Sequence, residues 1–77
     1  MKSKIHCLVG ADIISRISLR RHGLDVPTVD AIAGKEFTAI AFKGGDVLIE
    51  AMTPGQGMLD LPRMKQHWLP LDAVTIL

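Results

Sequence analysis

The sequence has no tyrosine, two phenylalanines and a single tryptophan, so aromatics make up only 4% of its 77 residues. A core of stacked rings is excluded. The interior must be aliphatic, with Phe37, Phe42 and Trp68 as its large pieces. An excess of charge is missing too: nine Lys and Arg against eight Asp and Glu give a formal net charge of +1. That field is too weak to gather nucleic acid without specific contacts. One cysteine, Cys7, rules out an intrachain disulfide and suits a reducing compartment. The apolar run from Ile5 to Ala11, which holds His6, is too short for a membrane span and lacks the pattern of a signal peptide. The expectation is an intact, soluble, cytoplasmic protein with one domain over residues 1–77. A chain of this length buries only about 60% of its unfolded-state surface, so its core must be efficient or a partner must help.

What is present is strand patterning. Lys4 to Val9 alternates, with Ile5, Cys7 and Val9 on one face. Residues 13–19, Ile-Ile-Ser-Arg-Ile-Ser-Leu, fit a helix and a strand equally well. Arg20 to Pro27 is polar, broken by Gly23 and closed by Pro27, and is expected as a loop or hairpin tip. Ala33-Gly34-Lys35-Glu36 turns into a strand from Phe37 to Phe42, with Phe37, Ala39 and Ala41 on one face and Ile40 and Phe42 on the other. A strand apolar on both sides belongs between two packed layers or under a partner. Lys43-Gly44-Gly45-Asp46 is a hairpin turn, and Val47 to Met52 returns with Val47, Ile49 and Ala51 on one side. The pattern lapses from Thr53 to His67, where Asp60 to Gln66 is compatible with a short helix. Trp68-Leu69-Pro70 followed by Ala73-Val74 reads as a strand, a short turn and a final strand.

Gly34-Lys35-Glu36-Phe37, the turn at residues 43–46, Leu48-Ile49-Glu50-Ala51 and Trp68-Leu69-Pro70 with Ala73-Val74 together resemble Src-homology-3-like barrels. The ungapped match of the last ten residues is the most specific part. The resemblance implies an all-β barrel of about five strands, with a long first loop and an inserted loop or short helix before the last strands. It also implies which function is missing. Leu48 stands where a groove tryptophan is expected, Ala73 replaces a tyrosine, and the first-strand segment has no aromatic residue, so no proline-rich peptide ligand is expected.

The candidate residues follow. Cys7, His6, His22 and His67 match no zinc spacing, no nucleophile–base arrangement is legible, and Gly55-Gln56-Gly57 is not a phosphate loop. No metal, cofactor or catalytic residue is expected. Arg16, Arg20, Arg21 and His22 form a basic run, reinforced by Lys35, Lys43, Arg63 and Lys65. Trp68, Leu48, Ile40, Phe42 and Met52 form an apolar set that either faces a partner or lies under Met58, Leu59, Leu61 and Met64. The reading is a non-catalytic protein-interaction module, a small accessory or regulatory protein of the phage or plasmid type. Its partner-binding residues are Trp68, Leu48, Arg20, Arg21, Met64 and His67. A nucleic-acid-binding barrel ranks second, and self-association is left open.

Overall fold

The computed structural model describes residues 4–53, 59 and 61–77. Five strands form one antiparallel sheet: β1 (Ile5–Val9), β2 (Glu36–Lys43), β3 (Asp46–Thr53), β4 (Arg63–Pro70) and β5 (Val74–Ile76). Their spatial order is β4-β3-β2-β1-β5. Two helices, α1 (Ile13–Arg21) and α2 (Val26–Ile32), lie between β1 and β2 in the chain, and a 3₁₀ turn (Leu71–Ala73) separates β4 from β5. The fold is mostly β, as expected. The closed barrel is corrected: among the described residues the sheet is open, with β4 and β5 as its two edges. The last ten residues do form a strand, a turn and a strand, Pro70 standing just before the turn and Val74 just after it.

The expected long first loop is instead two helices, and their caps explain why. The Asp12 carboxylate accepts from the Ser15 N–H at 2.8 Å and starts α1; the Asp25 carboxylate accepts from the Thr28 N–H at 3.0 Å and starts α2. Pro27 falls in the first turn of α2, where its missing N–H costs nothing. Between them, Gly23 adopts φ 95°, and the Leu24 N–H reaches back to the Leu19 carbonyl while the Gly23 N–H bonds that of Arg20. This left-handed cap ends α1 and buries Leu19 together with Leu24. The short helix considered for Asp60 to Gln66 is corrected as well, because β4 already starts at Arg63. Residues 54–58 and 60 lie outside the described residues.

Gly44 and Gly45 both have positive φ, as the tight turn between β2 and β3 requires, and Lys43 faces Asp46 across it. Further along, the register shifts. Ala39 pairs with Ile49, yet Ala41 pairs with Leu48, so Ile40 is the extra residue of a bulge. The bulge exchanges the expected faces: Ala41 joins Leu48, and Phe42 pairs with the buried Val47. The expectation that Phe42 shares a patch with Trp68 fails for this reason.

The core is the layer between one sheet face and the helices. Cys7, Val9, Val47, Ile49, Ala51 and Leu69 from the strands meet Leu19, Leu24, Val29 and Ile32 from the helices, with Ala73 closing one end. Gly10, at the junction of β1 and α1, donates its N–H to the Ala73 carbonyl at 2.8 Å. A Cβ on Gly10 would stand 2.2 Å from Ser15 Oγ and 2.8 Å from Ser15 Cβ, so β1 and α1 would have to separate. Gly10→Ala is therefore expected to lower stability by about 1–3 kcal/mol, as overpacking does, read from denaturant unfolding; an unchanged midpoint would contradict this packing.

Candidate functional site

Register decides which residues of β3 and β4 share a face. Leu48 lies opposite Trp68, Glu50 opposite Gln66 and Met52 opposite Met64. Their neighbours Val47, Ile49 and Leu69 are completely buried against the helices, so the first set occupies the other face of the sheet. No described helix or strand covers that face. Trp68 remains 38% exposed, Met52 55% and Met64 56%. Leu8 on β1 and Ile40 at the bulge add exposed apolar surface. The residues considered as a lid do not act as one: Leu59, Leu61 and Met64 are all exposed, and Met58 lies outside the described residues.

A second apolar surface runs along α1. Leu19 and Ser15 face inward, while Ile13, Ile14 and Ile17 are exposed. Ile13 and Ile17 line a shallow groove with Arg16, Arg20 and Arg21. Arg16 is paired with Asp30 of α2. Arg20 and Arg21 occupy the last turn of α1, where cations favour the negative end of the helix dipole.

The six residues singled out from sequence thus fall in three places. Trp68, Leu48 and Met64 come together on the uncovered face. Arg20 and Arg21 stand on α1. His67 is opposite Ile49, on the helix-facing side of the sheet, so it is not part of the face that Trp68, Leu48 and Met64 share. Sequence reasoning missed Ile13, Ile14 and Ile17 as surface residues; the cap signal at Asp12 followed by Ser15 would have oriented the helix. Among the described residues no three His, Cys, Asp or Glu side chains stand together as metal ligands. No described helix is long and apolar enough to cross a membrane. Comparison with protein-family models, curated proteins and solved structures finds no match for this chain.

His67 is the electrostatic feature of the site. It lines an open cleft of about 410 Å³ with Gln66 and Trp68 on the β4 side and His22, Gly23, Leu24, Asp25 and Thr28 on the helix side. It is half-buried, and its Nε2 is buried with no hydrogen-bond partner among the described residues. Desolvation, and then the Lys65 ammonium, push its pKa below the ordinary 6.5, against a smaller opposing pull from Asp25. A histidine whose native pKa is depressed takes up its proton more readily in the unfolded chain. Stability should therefore fall as pH drops through about 6.5 and level off only below the depressed native value. Denaturant unfolding of the parent and of His67→Gln across this window is the check: the parent should lose stability relative to the variant, and parallel curves would refute the assignment. Asp12 and Asp25, whose capping bonds to Ser15 and Thr28 hold their pKa values down, act in the more acidic range: their contribution is present above about 3.8 and is lost below it.

Proposed function

We propose that this chain is a non-catalytic protein-interaction module that engages a partner protein through the uncovered sheet face around Trp68. The observation that carries the reading is the register of β3 against β4, which stacks Leu48 on Trp68 and Met52 on Met64 with no described element over them. Tryptophan and methionine suit such a surface. Tryptophan offers a large apolar area with one N–H donor, and methionine adapts its shape to what it meets. The exposed isoleucines of α1, bordered by Arg20 and Arg21, extend the apolar surface on a separate side. A role as an accessory or regulatory factor follows from binding without chemistry. Kinship with Src-homology-3-like folds belongs to this reading, supported by the hairpin at residues 43–46 and the strand–turn–strand of the last ten residues. The open sheet makes it kinship of parts, not of a closed barrel.

Nucleic acid is the second reading, favoured by one arrangement. α1 and α2 are joined by four residues, His22 to Asp25, with Gly23 at the turn, as in helix-turn-helix units, and Arg20 and Arg21 have no ion-pair partner among the described residues. Against it, the exposed positions of α2 are Val26, Pro27 and Asp30, which bring no cation and no base-reading donor to a groove. Protein binding ranks first for this reason. Should the second reading hold, Arg20→Ala with Arg21→Ala weakens binding and flattens its salt dependence in gel-shift titration; no complex at low salt with either DNA or RNA removes it.

The first reading makes neighbouring residues behave in opposite ways. Leu69 is fully buried, and Leu69→Ala is expected to cost about 2–5 kcal/mol of stability. Trp68→Ala should leave the fold in place and weaken partner binding by about 2 kcal/mol or more. Thermal melts with affinity capture of the parent and both variants separate them. If Trp68→Ala unfolds the protein as readily as Leu69→Ala, Trp68 is core and the proposed face is wrong.

A further inference from the structure

The outer edge of β4 is a surface that the reading above leaves unused. β4 runs eight residues, pairs with β3 on one side and, among the described residues, with no strand on the other. An edge of that length is a template for another strand, whereas β5 at the opposite edge has only three residues. Beside the β4 edge lies the open cleft between Gln66, His67, Trp68 and the α1–α2 turn. One of its lining residues, His67, keeps a buried Nε2 with no hydrogen-bond partner among the described residues, and Asp25 places a carboxylate in the same cleft.

We propose that β4 pairs antiparallel with β4 of a second copy of this chain, in the register centred on Gln66. Two copies related by a two-fold axis normal to the sheet keep their uncovered faces on the same side. Directly opposed residues must then come from the same face, and the axis must pass between one residue and its own copy. Centring on Lys65 would oppose two ammonium groups. Centring on His67 would set Met64 against Pro70, which has no N–H for a ladder. Centring on Gln66 avoids both. It opposes two amides that each donate and accept, and sets Met64 against the partner's Trp68 twice, a sulfur–aromatic pairing. It also sets the partner's Lys65 against His67 twice, on the side of the strand where Asp25 lines the cleft. The pairing joins the two uncovered faces into one continuous surface.

The test uses the full chain in sedimentation velocity over a concentration series, where a monomer–dimer equilibrium is expected. Gln66→Lys sets like charges across the axis and should raise the dimer dissociation constant about fivefold. Under mild oxidation Gln66→Cys should form a covalent dimer, because the new thiol meets its own copy, while Met64→Cys, facing the partner's Trp68, should not. Native Cys7 does not interfere: it is buried, and burial pushes its thiol pKa up. A monomer at every concentration overturns the proposal, as does equal crosslinking of the two cysteine variants or a dimer untouched by Gln66→Lys. A monomer at every concentration that still loses its partner protein on Trp68→Ala overturns the pairing alone.

Discussion

One apolar layer, between two short helices and a single face of the sheet, holds this protein together. All of its largest fully buried side chains lie there: Leu19, Val29 and Ile32 from the helices, and Cys7, Val9, Val47, Ile49 and Leu69 from the strands. Each contributes through area removed from water, at about 25 cal/mol per Å², and together they must offset the ordering of every residue in the chain. The polar contacts are arranged in service of this layer. The Asp12 and Asp25 caps fix where the helices start, the Gly23 cap turns Leu19 and Leu24 inward together, and the Gly10–Ala73 bond draws the 3₁₀ turn onto the end of β1.

The layer is one-sided, and that sets what the protein can do. Two helices suffice to cover one face of five strands, so the alternate positions of β3 and β4 have nothing of the described chain above them. Those positions are not polar, as a solvated sheet face would be. Leu48, Met52, Met64 and Trp68 interrupt Glu50 and Gln66, and this apolar character is what the proposed interaction surface rests on. Among the described residues, the same asymmetry leaves the β4 edge open beside a cleft in which a buried histidine nitrogen lacks a partner.

Much of the sheet was legible in the sequence. Period-two alternation at residues 7 and 9 and at 47, 49 and 51 identified buried positions, although Ile5 at the start of β1 is exposed; the two glycines at 44 and 45 marked the hairpin, and Pro70 marked the last turn. The helices were not legible because α1 inverts the usual pattern: it buries Ser15 while exposing Ile13, Ile14 and Ile17. Its caps carried the signal instead. The bulge at Ile40 was hidden because a one-residue insertion in a strand apolar on both sides leaves no mark in the alternation. The start of β4 was hidden because Lys65, though opposite the buried Ala51, is exposed and needs no apolar side chain. Of the residues proposed for binding, Trp68, Leu48 and Met64 are brought together by a register that no local pattern reveals.

The central claim is that the face around Trp68 is uncovered in the free chain, and the single tryptophan of the sequence makes this directly measurable. Intrinsic fluorescence of the dilute protein, with collisional quenching by acrylamide, reports on Trp68 alone. The account predicts a red-shifted emission that is readily quenched under native conditions and becomes protected when a partner binds. A blue-shifted, quench-resistant emission from the dilute chain would show that the protein covers Trp68 with its own residues, and would contradict the account.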